Sequence, residues 1–330
     1  MTKTLALVLL LVVSLGSNAQ TRFEYRHRQM GTQIRLVFYT SDHIRADSAS
    51  KAVFSRIDEL NAELSDYLVD SELNMLCLQA GKDVSVSSDL YLILKASVAV
   101  SEQTKGAFDV TTGPLIRLWR RVRKTKIKPS TSQIKKAMQK VGHHYIVFPD
   151  TNTIRLEKKG MQLDLGGIGK GFAADEVLKV FELYGIRSAL VDMGGDIRVS
   201  DPPPNKKHWV LAFSYYNADR KEIVQKIKLK NQAVATSGDL YQYLEIDGIR
   251  YSHIIDPQTG MALGNGIQVT TIATNATLAD AYASAFSVIG IEEAINSVQE
   301  IPSLEFFMVE NYKQEHKSWQ SKGFMNHLVE

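Results

Sequence analysis

Residues 163–171, Leu163-Asp164-Leu165-Gly166-Gly167-Ile168-Gly169-Lys170-Gly171, carry a strand into a turn rich in glycine and out into a helix. The helix reads from Gly169 to Tyr184, and Ser188-Ala189-Leu190-Val191-Asp192 follows as a short buried strand. The glycine spacing is neither G-x-G-x-x-G nor that of a Walker loop, so neither nucleotide-binding fingerprint applies. Upstream, Tyr145-Ile146-Val147-Phe148 and Thr153-Ile154-Arg155-Leu156 flank Asp150-Thr151-Asn152 as a hairpin within Val141 to Asp164. Helical spacing of apolar residues marks Asp42 to Tyr67 and Asp89 to Thr104, and Arg22 to Tyr39 suits an opening strand. Downstream, Pro202-Pro203-Pro204 marks a loop, Trp209 to Phe213 and Ile223 to Leu229 read as meander strands, and Thr277 to Ile289 is a helix of small residues. Ser303 to Val309 reads as a closing strand. Strands and helices alternate without a regular βαβ beat, which predicts an α+β fold with mixed or antiparallel sheets and flanking helices.

The first nineteen residues read as a leader and not as fold. Lys3 gives a positive start, Leu5 to Leu15 form an apolar run, and Ser17-Asn18-Ala19 places small residues where a signal peptidase cuts. An apolar run of about 11 residues is too short to span a bilayer of roughly 30 Å as a helix. An uncleaved anchor and a buried helix are the competing readings. The expectation is a cleaved signal peptide over residues 1–19, a mature chain from Gln20, and export to the periplasm. Residues 20–330 show no internal repeat or composition break and are expected to form one large domain.

A hydrophobic content of 44% and a charged content of 23% are ordinary for a folded protein. Cys77 is the one cysteine, so no internal disulfide forms, and its apolar surroundings predict an inert thiol. One segment is unusual in charge: Arg117, Arg120, Arg121, Arg123, Lys124, Lys126 and Lys128. A solvated face and a docking surface for an acidic protein both account for it. Nucleic acid is a poor partner, since no binding motif accompanies the charge.

Four segments combine small residues with acidic, hydroxyl or imidazole groups. Lys105-Gly106-Ala107-Phe108-Asp109-Val110-Thr111-Thr112-Gly113 presents one Asp and two Thr after a helix end, a composition a capped turn shares. The turn at 163–171 exposes amides at a helix start beside Lys170, which suits a diphosphate. Ala235 to Asp239 is followed by Ser252-His253-Ile254-Ile255-Asp256-Pro257, where a hydroxyl-rich loop and an Asp-Pro turn accompany an imidazole able to take a proton near neutral pH. A core histidine is the competing reading for His253. Asp280 and Ser284 stand four residues apart, so their oxygens project from one helix face and fit a hard cation such as Mg²⁺. A small-residue packing helix with a capping Asp fits them too. The lack of HxxxH, CxxC and G-x-S-x-G arrangements argues against zinc hydrolases, thiol enzymes and α/β-hydrolases.

Taken in order, these segments resemble the FAD:protein FMN transferases, the ApbE family. The resemblance runs from Met30-Gly31-Thr32 through Leu64-Ser65-Asp66-Tyr67, Ser71-Glu72-Leu73, Gly106 to Asp109, Leu163 to Gly171, Met193-Gly194-Gly195-Asp196, Ala235 to Asp239 and His253 to Pro257, to Ala279 to Ala285. It implies a T-fold-related α+β domain, FAD as substrate, Mg²⁺ as cofactor, and an acceptor protein bearing a Ser or Thr flavinylation site. Such acceptors are commonly membrane-associated electron-transfer subunits. By position it implies FAD contacts at Met30, Tyr67, Ala107, Phe108, Asp109, Asp164, Lys170 and Ile254. It also implies a Mg²⁺ site at Asp280, Ser284 and the Gly167 carbonyl. His253 is the expected base, with Asp256 orienting its imidazole. Relatives commonly carry Thr in place of Ser284 and Ala in place of Gly167. The same residues would serve a Mg²⁺-dependent FAD pyrophosphatase, in which water replaces the protein hydroxyl. A non-catalytic FAD-binding protein would need neither His253 nor a cation.

Overall fold

The computed structural model describes residues 20–238, 243–246, 248–312 and 315–329. The expected signal peptide, residues 1–19, and Asp239 lie outside them. The chain opens with β1 (Thr21–Gln29) and β2 (Thr32–Thr40), a hairpin closed by Met30 and Gly31, both at positive φ. Two consecutive left-handed residues give the tight turn that suits strand twist. The single opening strand expected from Arg22 to Tyr39 is therefore two, and the turn residues between them are the reason.

Helices α1 (His43–Leu64) and α2 (Glu72–Leu78) follow, capped by Asp42, which accepts from the Ile44 amide, and by Ser71, which accepts from the Asn74 amide. Next come β3 (Val84–Ser85), α3 (Ser88–Gln103), α4 (Gly113–Thr125), α5 (Thr131–Met138), β4 (Ile146–Asp150) and β5 (Thr153–Leu156). The basic run thus lies mostly on a helix, α4. The second half holds α6 (Gly169–Leu183), β6 (Ala189–Asp192), β7 (Ile197–Val199), β8 (Trp209–Tyr216), β9 (Glu222–Leu229), β10 (Ala233–Gly238), β11 (Tyr243–Ile246) and β12 (Ile249–Ser252). It ends with β13 (Ile267–Ala273), α7 (Ala276–Val298), β14 (Glu305–Tyr312) and β15 (Glu315–Gln320). Gly290 breaks the helical dihedrals of α7 near the end of the expected span. The strand expected to close the chain, Ser303 to Val309, instead pairs onward with β15.

Among the described residues the main sheet has the order β1-β2-β6-β7-β10-β13-β14-β15, with every pairing antiparallel. The fold is α+β, helices with antiparallel sheets. Period-two alternation divides its faces. On β2, Ile34, Leu36 and Phe38 join the core against the helices, while Val37 and Tyr39 face the β8–β9 hairpin. The helix-side core takes Val53, Ile57 and Leu60 from α1, Ala173, Val177 and Phe181 from α6, and Tyr282 and Phe286 from α7. A third cluster joins Leu115, Trp119 and Val122 of α4 to Ile134 of α5 and to Leu244, Tyr251 and Ile255 of the β11–β12 region. This separate small core carries the loop that holds His253.

Candidate functional site

A cavity of about 920 Å³ opens beside this small core, lined by residues from both it and the main core. Met30, Tyr67, Ala107, Phe108, Asp109, Asp164, Gly167, Lys170, His253, Ile254, Asp280 and Ser284 all line it. The fold thus gathers into one cavity residues spread over more than 250 positions of sequence. Asp256 is not among its lining residues.

The glycine-rich turn is held from both sides. The Asp164 amide donates to the Val110 carbonyl at 2.8 Å, and Asp164 Oδ1 accepts from the Gly166 amide at 2.9 Å. Arg120 of α4 donates from Nη2 to Asp164 Oδ2 at 2.9 Å, pairs through Nη1 with Asp66, and lies over the Tyr67 ring at 4.3 Å. Tyr67 itself is 75% exposed, so its other face is open to a planar ligand. Burial and the nearby Asp66 charge push Asp164 up to about 6, against the pull of Arg120 and the Gly166 amide.

Where α6 and α7 cross, a second polar cluster forms. Lys170 pairs with Asp196, and Asp280 Oδ2 accepts from the Gly171 amide at 3.1 Å. Burial, with the Asp196 charge adding to it, pushes Asp280 up to about 8 despite Lys170. Burial works against the Lys170 charge, but Asp196 and Asp280 outweigh it and hold the ammonium protonated. Asp192 Oδ1 accepts from the Gly194 and Gly195 amides at 3.0 and 2.9 Å, closing the turn that presents Asp196. The crossing is close because residue 171 has no side chain: a Cβ there would sit 2.2 Å from the Ala276 carbonyl oxygen. A Cβ on Gly167 would lie 2.7 Å from Ser284 Oγ, which places the Gly167 backbone directly against that hydroxyl.

The Ala107-Phe108-Asp109 loop owes its shape to Asp109. Its Oδ1 accepts from the Thr111 amide and hydroxyl at 2.8 and 2.6 Å, and its Oδ2 from the His143 amide at 2.9 Å. His143 Nδ1 lies 3.5 Å from the same carboxylate, whose hydrogen bond raises the imidazole pKa despite partial burial.

His253 is exposed at the end of β12 on a loop fixed by its backbone. The Ser252 amide donates to the Leu263 carbonyl at 2.6 Å, the Leu263 amide to the Ile254 carbonyl at 3.0 Å, and the Ile254 amide to Ser252 Oγ at 3.0 Å. Trp119 Nε1 of α4 donates to the Gly260 carbonyl at 3.0 Å and ties the far end down. Asp256 departs from the orienting role expected of it. Its Oδ1 accepts from the Gln258 amide at 2.8 Å and its Oδ2 from the Thr259 hydroxyl at 2.7 Å, so the carboxylate closes its own turn. An Asp-Pro step followed by Gln-Thr-Gly is turn chemistry, and that signal was present in the sequence.

Arg120, His143 and Asp196 were not assigned roles by sequence reasoning. Arg120 was hidden in the basic run, and its two carboxylate partners lie 54 and 44 residues away. Asp196 stood in a quoted motif with no partner named, and His143 carried no local signal. Cys77 behaves as expected: its Sγ accepts from the Leu163 amide at 3.4 Å, and burial pushes the thiol pKa up.

A family model described as the ApbE family matches residues 30–308. A protein of Vibrio cholerae named FAD:protein FMN transferase is 28% identical over 304 residues, covering 90% of this chain and 91% of that one. One of the same name from Escherichia coli is 30% identical over 310 residues, covering 92% and 88%. Among solved structures, the flavin transferase ApbE of Vibrio cholerae superposes with a TM-score of 0.84 at 25% identity, covering 94% of this chain and all of that one. An ApbE protein of Thermotoga maritima superposes with a TM-score of 0.83 at 30% identity.

Proposed function

The chain belongs to the ApbE family, and we propose that it transfers FMN from FAD to a Ser or Thr hydroxyl of an acceptor protein, releasing AMP, with Mg²⁺ as cofactor. The acceptor oxygen attacks the FMN-side phosphorus, the bond to the AMP-side phosphate breaks, and the hydroxyl proton passes to His253. The observation that carries this reading is the single cavity on which His253, the glycine-rich turn and the Lys170–Asp196–Asp280 cluster converge.

Each chain residue has a physical task. The exposed face of Tyr67, with Arg120 behind it, offers a stacking surface for a flavin or adenine ring. Lys170, held by Asp196, stands in the first turn of α6, whose N-terminal dipole offers positive charge to a diphosphate. His253, at the exposed rim, meets an acceptor arriving from solvent and takes its proton. Asp256 shapes the turn beyond His253 and leaves the imidazole to other contacts.

The donors fit Mg²⁺ by their chemistry: a carboxylate on Asp280, a hydroxyl on Ser284 and the Gly167 carbonyl are all hard oxygens, and the first two face the same cavity. Among the described residues no cluster of three His, Cys, Asp or Glu side chains could hold a metal, so phosphate and water oxygens would complete the shell. When bound there, Mg²⁺ neutralises charge growing on the departing phosphate. The residues before Gln20 serve export to the periplasm in this reading, residues 20–330 are the transferase domain, and the acceptor is a membrane-associated electron-transfer subunit.

A test of the cation site follows from Asp280. A carboxyl held near 8 in the folded chain, against an ordinary 3.8, keeps its proton where the unfolded chain has lost it. Metal-free stability should therefore fall as pH rises between these values, and be free of this cost below them. Mg²⁺ binds the ionised form, so the rise in Tm that it produces should grow from about pH 5 to about pH 8. The growth should vanish in Asp280→Asn. A Mg²⁺-induced shift that is absent, or equal across the window, would remove the cation from Asp280.

A further inference from the structure

Residues 110–149 hold ten of the chain's 39 Lys and Arg and none of its 36 Asp and Glu. Half of that charge lies on α4, which has no acid of its own to pair with. At 100° per residue, Arg117, Arg121 and Lys124 share the solvent side, and Arg120 and Arg123 continue the same arc toward the cavity, which both line. Arg117, Arg121, Arg123 and Lys124 make no ion pair among the described residues, whereas Arg120 is held by Asp66 and Asp164. The opposite side of α4 is buried through Leu115, Trp119 and Val122, and Trp119 is bonded to the loop that carries His253. A rigid cationic ramp thus leads from solvent to the rim where the proposed base stands.

We propose that this face of α4 docks an acidic segment of the acceptor protein, one that flanks its Ser or Thr and guides the hydroxyl to His253. The inference rests on the transferase reading above. Charge complementarity selects the occupant: a row of unpaired cations continuous with a catalytic rim favours an anionic polypeptide, and it raises the rate of encounter in a salt-dependent way. An anionic membrane would need only the charge. It would not account for the continuation of the arc into the cavity through Arg123.

The test uses the mature chain with two fluorescein-labelled peptides, each with a central Thr, flanked by Asp and Glu in one and by Asn and Gln in the other. The acidic peptide should bind more tightly, and its affinity should weaken at least about tenfold between roughly 50 and 300 mM salt, because the pairs lie at the surface. In R117E/R121E/K124E the preference should vanish, with FAD affinity and slow AMP release to water unchanged, since none of the three lines the cavity. Equal binding of both peptides, or an acidic peptide held as well by the variant as by wild type, overturns the docking surface alone. Capture of the wild type by anionic vesicles without any preference for the acidic peptide overturns it in favour of a membrane. Absence of both AMP release and FAD binding in the wild type overturns the transferase reading instead.

Discussion

Replacing His253 with alanine should lower FMN transfer by about 10²–10⁴-fold while FAD affinity stays within about twofold of wild type. The split follows from where the residue sits. His253 is at the exposed end of β12, and the loop around it is fixed by backbone bonds among Ser252, Ile254 and Leu263 and by Trp119 on the Gly260 carbonyl. Truncating an exposed side chain on a backbone-held loop costs little stability. Apart from Ile254, which backbone bonds hold in the same loop, the surfaces assigned to FAD, from Tyr67 and Arg120 to Lys170, belong to other elements and should persist. Steady-state transfer with flavin-fluorescence titration reads both quantities. A variant that transfers within tenfold of wild type would take the base assignment away from His253.

The second large effect is on the crossing of α6 and α7. Gly171→Ala should destabilise the protein by about 1–3 kcal/mol or more, because the new Cβ meets backbone that cannot yield. It would lie 2.2 Å from the Ala276 carbonyl oxygen and 2.9 Å from Asp280 Cβ. The start of α7 is pinned from two directions. Asp175 on α6 accepts from the Ala276 and Thr277 amides at 2.9 and 2.8 Å, and Asn275 caps the Leu278 amide at 2.9 Å. Separating the helices strains those bonds, stretches the Gly171 amide to Asp280 contact, and moves the carboxylate assigned to Mg²⁺. In an open helix the same substitution stabilises by roughly 0.5–1 kcal/mol, so the sign is diagnostic. Thermal melts with and without Mg²⁺ should show a lower Tm and a smaller Mg²⁺ response. An unchanged or raised Tm would mean the crossing tolerates a methyl group.

Much of the candidate site was legible because the residues that line its cavity sit in short segments: glycines that permit close approach, next to a few acids and an imidazole. Helical spacing put the oxygens of Asp280 and Ser284 on one face but left a packing helix as open as a cation site, and the family resemblance favoured the cation; the 163–171 turn stood out by its glycines and its Lys. What stayed hidden depends on distance in sequence. Arg120 reads as one more cation in a basic run until the fold sets it between Asp66 and Asp164. Lys170 reads as a free phosphate ligand until β7 brings Asp196 beside it. Asp256 misled in the other direction, since proximity to His253 in sequence hid a turn that occupies its carboxylate. For the fold, α1, α3 and α6 match their predicted spans to within a few residues, α7 runs past its expected end at Ile289, and α2, α4, α5 and the order of the main sheet were not predicted. Insertion of β6 beside β2, and the run from β7 through β10 to β13, are long-range pairings that no local pattern specifies.

The most direct test incubates the mature chain with FAD, Mg²⁺ and a candidate Ser/Thr acceptor, then measures AMP and in-gel flavin fluorescence under denaturing conditions. The account predicts AMP release matched by a fluorescent acceptor band, both lost on Mg²⁺ removal. AMP accompanied only by free FMN would contradict transfer and make the protein a FAD pyrophosphatase, and tight FAD binding with no AMP would leave it a flavin carrier.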